Sequence, residues 1–301
     1  MDARKQILYI YTETPTHVGT GVGLSAVDLP IQREKHTGYP LVQASGIKGA
    51  LRDTAENALR QTDDGEALIR SIFGGASGDP NEDFAGAMSP SDARILLFSV
   101  RALKGVFVWI TSPTVLQRFK QETDAPKAPQ VPDEAAQVSD VGLLVNGNAL
   151  MLEEFTYDAQ QTNAAKAWAD YFAQHALHPD TDDYWQRRLQ THLVILPDDE
   201  FRDFVRYSTE ITTRIHIDDV KKTVKQGQLF TQELLPADCL LYSVVHVTGS
   251  RDEKLGAKTV VEALRDAIGD RIQIGGDETV GRGRVRLNWQ ATPQQEAANG
   301  Q

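Results

Sequence analysis

One acid stands apart among bases and glycines near the start of the chain. In residues 16 to 52, THVGTGVGLSAVDLPIQREKHTGYPLVQASGIKGALR, Asp28 is the only carboxylate between Glu13 and Glu34, and Arg33, Lys35 and His36 follow it closely. A carboxylate so placed can hold a divalent cation (Mg²⁺ or Mn²⁺) or act as a general base, while the bases offset its repulsion from phosphate. An unperturbed acid near pKa ~4 is a weak base at neutral pH. Downstream, a helix opening at Ser45 carries Lys48 and Arg52 in its first two turns. A helix N-terminus with free N–H groups and added cations is a natural phosphate seat. Near the other end, GGDETVGRG at 275–283 sets Gly275, Gly276, Thr279 and Arg282 between two strands. Glycines let a backbone approach a phosphate chain closely and present bare N–H donors. Each feature also has a plain reading: a bulged hairpin turn at 275–283, a turn acid at Asp28, and a loop anchor at His17.

Other chemistries find little footing. The glycines of GTGVG at 19–23 are out of order for a dinucleotide fingerprint, and Asp28-Leu29-Pro30 stands where a helix should begin. Lys48 lacks the frame of a P-loop. The seven histidines are scattered, and His175 with His178 forms only one H-x-x-H, which suits a helix surface. A single cysteine, Cys239, rules out a thiolate zinc cluster and any intramolecular disulfide, and fits a reducing, cytoplasmic setting. The acid pairs Glu153-Glu154, Asp182-Asp183 and Asp198-Asp199 sit in or before helices and strands, where solvation or a helix dipole explains them. No serine or cysteine triad follows from spacing, and no run approaches the roughly 20 apolar residues of a membrane helix.

The elements that must position these groups can be read from periodicity. Gln6 to Thr12 alternates as a half-buried strand should, and 45–61 is a core-facing helix striped by Ile47, Ala50, Leu51, Ala55, Ala58 and Leu59. Glu66 to Phe73 is a short helix, 74–90 a surface loop with no core of its own, and ARILLFSVRA with GVFVWIT a hairpin turning at Lys104-Gly105. Ser112-Pro113 starts a further helix. The stretch 121–139, rich in Pro, Ala and acid, reads as a flexible insertion. Then follow a strand at 149–155, helices at 162–176 and 182–190, a strand at 193–196 and a helix at 198–206. Residues 207–238 read as a projecting hairpin, Cys239 to Thr248 as an apolar strand, Ala257 to Ile268 as an amphipathic helix, and RIQI and RVRLNW as the last strands. The tail from 290 reads as frayed. The two ends each give strand, loop, helix and strand, the order of an α+β, ferredoxin-like core also used by RNA-recognition modules.

The formal charge of −11 opposes a nucleic-acid partner only as a total. Residues 53–210 hold thirteen Lys/Arg against twenty-six Asp/Glu, whereas 1–52 hold six against four and 214–289 twelve against eleven. The acid is confined to the middle, and the two ends can fold into a basic surface.

The words VDLPIQREKHTGYP, SGIKGALR and GGDETVGRGRV, in this order, resemble the RAMP superfamily of CRISPR-associated RNA-binding proteins. More narrowly they resemble the multicopy backbone subunits of the Cmr (type III-B) effector complex, over roughly residues 6 to 289. The resemblance implies a single RAMP domain over 1–301. Its ferredoxin-like palm comes from about 1–110 and 239–289, with helical insertions at about 111–206 and a hairpin thumb at about 207–238. It implies copies stacked along a CRISPR guide RNA with other Cmr subunits, and cutting of the paired target RNA at regular intervals with divalent metal. Asp28 matches the family's required acid, His17 a histidine near the scissile site, Lys48 the lysine that grips the guide, and Glu233 another acid. Ser45, Arg52, Gly275, Gly276, Thr279 and Arg282 join Lys48 as the expected RNA contacts. The rival from another class is a scaffold that holds RNA without cutting it.

Overall fold

The computed structural model describes residues 3–23, 27–75, 85–123, 125, 131, 135–181, 183–217, 224–251 and 253–292. Strand β1 (Ala3–Thr12) runs into the long loop, which holds the short β2 (Leu41–Val42) and ends in helix α1 (Ala44–Leu59). Then come α2 (Gly65–Phe73), β3 (Met88–Pro90), β4 (Ala93–Arg101) and β5 (Phe107–Thr111). The middle contains α3 (Pro113–Thr123), β6 (Ala136–Val138), β7 (Ala149–Leu152), β8 (Phe155–Gln161) and α4 (Asn163–His175). It closes with α5 (Asp183–Thr191), β9 (Leu193–Ile195) and α6 (Asp198–Tyr207). A hairpin of β10 (Glu210–Ile217) and β11 (Val224–Leu234) follows, then β12 (Leu240–Thr248), α7 (Ala257–Ile268), β13 (Arg271–Gln273) and β14 (Arg284–Ala291).

The result is a mixed α/β fold on one large sheet, ordered β13-β14-β1-β12-β4-β5-β9-β6-β8-β7. At its centre β1 lies antiparallel to β12 (Ile7 opposite Val244, Tyr11 opposite Leu240) and to β14 (Ile7 opposite Gln290, Thr12 opposite Val285). The half-buried pattern expected of β1 is corrected here, because Gln6 to Ile10 are all buried. Helices cover both faces. Tyr9 and its cross-strand partner Tyr242 meet Phe119 of α3 at ring-centroid distances of 6.1 and 5.0 Å. On the other face Arg265 of α7 reaches Gln6 Oε1 at 3.2 Å, and α7 also packs on α1. A polar residue survives in β1 because α7 supplies its donor.

Three further expectations change. The polar stretch 121–139 ends in β6, fully buried between β8 and β9, although 124, 126–130 and 132–134 lie outside the described residues. The loop over 74–90 has a buried end: Ala87 and Met88 enter the core, and β3 pairs with β12. Its residues 76–84 lie outside the description, as do the hairpin tip 218–223 and the tail from 293. The strand over 149–155 breaks at Glu153, whose φ of 48° starts a turn into β8. The β4–β5 hairpin, the helix starting at Pro113 and the 207–238 hairpin lie where periodicity set them. That last hairpin is a two-stranded sheet of its own, joined to the body at its base.

Phe119 is fully buried and also meets the rings of Trp168, Tyr171 and Phe172 within 6.2 Å. Phe119→Ala should therefore cost about 3–5 kcal/mol, read as a lower urea midpoint with unchanged slope.

Candidate active site

A hairpin that leaves its parent sheet exposes an outer row of backbone donors and acceptors on each strand. On β11 the inner row, at Phe230, Gln232 and Leu234, faces Arg214, Thr212 and Glu210 of β10. The outer row, at Thr231, Glu233 and Leu235, is taken up entirely by the loop that follows β1. Thr16 and Leu235 exchange both bonds at 2.9 Å. Glu233 N–H donates to Leu29 O at 3.0 Å, and Leu29 N–H donates to Thr231 O at 3.0 Å. The two groups left over meet side chains. His17 Nδ1 bonds Glu233 O at 2.8 Å, and Thr231 N–H donates to Asp28 Oδ2 at 2.7 Å. The loop is firm enough to do this because it folds on itself, Gln32 N–H to Val18 O at 2.8 Å and Gly23 N–H to Asp28 O at 2.8 Å.

Asp28 and Thr231 clasp each other. The Thr231 hydroxyl donates to Asp28 Oδ2 at 2.9 Å and accepts from Asp28 N–H at 3.1 Å. The Thr231 backbone N–H and then its hydroxyl hold the exposed Asp28 carboxyl below the usual carboxylate range. Asp28 is therefore a fixed anion open to solvent. A carbonyl can only accept, so His17 Nδ1 carries hydrogen and Nε2 is the basic nitrogen of the neutral ring. Gly19 lies against that nitrogen: a Cβ at position 19 would sit 2.5 Å from Nε2.

Glu233 is on the right strand but turned inward. Its carboxylate is buried and accepts from Ile31 N–H at 3.0 Å, Thr209 Oγ1 at 2.8 Å and Arg33 Nη2 at 2.5 Å. Arg33 continues to Gly38 O and Val205 O, both at 2.8 Å. The structure thus corrects the expected grouping: the Glu233 carboxylate anchors the loop, and it is its backbone carbonyl that meets His17. Arg33 likewise spends its charge inside, leaving Lys35 and His36 exposed.

The glycine loop closes the other face of the hairpin base. Gly276 N–H donates to His17 O at 2.9 Å, and Gly275 has φ of 83°, where a Cβ would lie 2.3 Å from His17 O. Asp277, which the sequence reading passed over, accepts from Arg214 at 2.9 Å and from Gln232 Nε2 at 2.6 Å, one residue from each hairpin strand. Thr231 was passed over as well. Thr279 is exposed in a single 3₁₀ turn (Glu278–Val280). Arg282 faces Glu210, whose pKa burial raises and Arg282 pulls back down.

The α1 terminus begins at Ala44, one residue earlier than expected. No acid occupies its first turn, but Asp92 Oδ1 accepts from Ala44 N–H at 2.8 Å. Ser45 is exposed. Lys48 is half-buried with no carboxylate partner among the described residues, and burial, then Arg52, lowers its pKa. Arg52 itself turns to Glu56 at 2.6 Å and toward Gly74 O and Gly75 O. Of the two cations on α1, Lys48 is the one left for an anion.

A cavity of about 450 Å³ lies elsewhere, lined by Tyr11, Trp109, Trp185, Arg271, Arg286 and neighbours. Its polar groups serve one another: Tyr11 and Trp109 bond Asp238, Arg271 pairs with Glu13, and Arg286 with Asp270. Among the described residues no three His, Cys, Asp or Glu side chains gather into a metal cluster. Asp28 fits a cation only as the single carboxylate of an ion that completes its shell with phosphate and water. No helix among the described residues is long and apolar enough to cross a membrane.

The profile of the RAMP superfamily matches residues 9–286. The chain is 37% identical, over 92% of its length and 93% of the relative's, to the "CRISPR system Cmr endoribonuclease Cmr4" of Pyrococcus furiosus. It is 26% identical, over 93% of its length and 95% of the relative's, to the "CRISPR system CMR subunit Cmr4" of Saccharolobus solfataricus. A crystal structure of oligomeric Cmr4 from Pyrococcus furiosus superposes with a TM-score of 0.71 at 30% identity, covering 96% of this chain and 99% of that one.

Thr231→Val removes the hydroxyl and keeps the backbone donor, so the Asp28 pKa should rise toward its ordinary value. Thr231→Ser should leave it where it is. Carboxyl-carbon NMR titration of Asp28 reads this directly, and equal midpoints in the wild type and the Val variant would refute the clasp. Because the folded pKa is depressed, the clasp contributes at neutral pH and is lost as pH falls through that lowered value.

Proposed function

The chain belongs to the RAMP superfamily, and from that premise we propose that it is the multicopy, guide-RNA-binding backbone subunit of a type III-B complex that cuts guide-paired target RNA. Copies of itself, other Cmr subunits, guide RNA and target RNA are its partners, and the cytoplasm is its place of work. The observation that carries the reading is Asp28: an exposed, ionised carboxylate held by two Thr231 donors where the loop, the hairpin and the glycine loop meet. The order β14-β1-β12-β4, with α1 and α7 as its crossovers, supports reading a ferredoxin-like palm, and β10–β11 a thumb. One domain then takes in the helical middle as an insertion.

The reaction needs an in-line approach of a ribose 2′-oxygen to the adjacent phosphorus. The 2′-O–P bond forms, the P–O5′ bond breaks, one proton leaves the 2′-oxygen and one is taken up by the departing oxygen. His17 Nε2 accepts the first proton, since Nδ1 keeps its hydrogen on Glu233 O. Asp28, too acidic to serve as a base at neutral pH, orients the phosphate region as a fixed charge. A divalent cation held by Asp28 would supply charge neutralisation at the phosphate. Glu233, through Arg33, Thr209 and Ile31, is a positioning residue. Lys48 grips the guide backbone, supported by its lack of a carboxylate partner among the described residues.

Assembled complexes carrying Asp28→Asn should bind guide and target within about twofold of wild type and cut at least about a hundredfold more slowly. Asn still accepts from Thr231, so folding should persist, and full-rate cutting would return the subunit to a scaffold role. Lys48→Ala should weaken RNA binding whatever the sequence and lower the slope of log affinity against log salt by about 0.7–0.9. An unchanged slope would make that lysine structural.

A further inference from the structure

Two exposed cations and one exposed ring lie beside the hairpin base, and neither cation forms an ion pair among the described residues. Helix α6 buries Phe201, Phe204 and Val205, but its last two residues depart from that pattern. Tyr207 is 75% exposed, and the exposed Arg206 stands 5.7 Å from its ring centroid. The Arg206 stem packs on Gly38, whose φ is 75° and where a Cβ would lie 3.3 Å from Arg206 Cδ. That contact brings the turn holding Lys35 and His36 alongside. Glu34 within that turn is buried and paired with Arg118 and Arg94. His36 lies 3.8 Å from it. Of the acids of α6, Asp199 and Asp203 pair with Arg202 and Asp198 accepts from Thr114, while Glu200 forms no ion pair among the described residues. Lys35 and Arg206 form no ion pair among the described residues. In a chain with 42 acids and 31 bases, two neighbouring exposed cations with no ion pair among the described residues are available to an external anion.

We propose that Lys35, Arg206 and Tyr207 form a platform for one nucleotide of single-stranded RNA, its base stacked on Tyr207 and its phosphate between Lys35 and Arg206. Bases of any kind stack on an exposed ring, and an adjacent guanidinium adds cation–π attraction. The platform is fastened to the active site. Arg33 bonds Gly38 O and Val205 O on one side and Glu233 on the other, and Glu233 is two residues from Thr231, which holds Asp28. This connection sets the platform beside the hairpin base, within the surface that the RNA-binding reading gives to the target strand. The inference rests on the RNA-binding reading and adds a site to it.

The test uses the purified full chain and a fluorescein-labelled 20-nucleotide oligouridine. Tyr207→Ala should bind about tenfold more weakly. Tyr207→Trp should bind as wild type, and RNA should quench its fluorescence beyond the change seen for the native tryptophans. Lys35→Ala and Arg206→Ala should each lower the salt slope by about 0.7. If these variants stay within twofold of wild type with the same slope while Lys48→Ala weakens binding, the platform is rejected and the RNA-binding reading stands. If wild type fails to bind and Lys48→Ala changes nothing, both fall together. If Tyr207→Ala keeps its RNA affinity but reduces self-association by light scattering, the surface belongs to a protein contact and the proposal is overturned.

Discussion

The outer edge of strand β11 has to be satisfied, and the site follows from how this is done. A hairpin joined to the body at its base brings six backbone groups from Thr231, Glu233 and Leu235 that β10 does not pair. The loop after β1 supplies partners for all six, two of them from the side chains of His17 and Asp28. The acid and the histidine are held where they are because they complete a strand edge. The fixed charge of Asp28 is a consequence of the same bonds, since donors to a carboxylate favour its ionised form. Hairpin and acid are thereby one mechanical unit, and anything that moves the base of β11 moves Asp28 with it.

Asp277 does on the opposite face what Glu233 does on the near one. Each carboxylate reaches both strands or both neighbours of the hairpin, Asp277 through Arg214 and Gln232, Glu233 through Arg33 and Thr209. Two carboxylates thus hold the base as clamps, and a third, Asp28, faces solvent. Cations in the region divide in the same way. Arg33 and Arg52 are consumed within the fold, while Lys48, Lys35 and Arg206 stay open. This division explains how an acidic chain can present a local cationic surface.

Much of the fold was legible because periodicity and turn chemistry act over short distances. The Lys104-Gly105 turn, the Ser112-Pro113 helix start and the separate hairpin each follow from residues within a few positions. Burial of β1 on both faces was not legible, because α7 and α3 lie far away in sequence and only packing brings them to Gln6 and Tyr9. Asp28, His17 and Lys48 could be singled out from composition and family words. Their partners could not: Thr231 is 203 positions from Asp28, and nothing local marks it. Glu233 misled for a related reason. Its place on the strand was right, but side-chain direction depends on which face meets Arg33 and Ile31. Asp277 carried one faint signal, a position after Gly275-Gly276 with φ of 68°, where an aspartate is tolerated better than most residues.

Residue-resolved amide hydrogen exchange in the folded chain tests the central claim most directly. If the loop covers the outer edge of β11, the Thr231, Glu233 and Leu235 amides should all be protected, and Asp28→Ala should selectively speed exchange at Thr231. Exchange at all three at the rate of an uncovered strand edge, or a Thr231 amide indifferent to loss of the Asp28 carboxylate, would contradict the account.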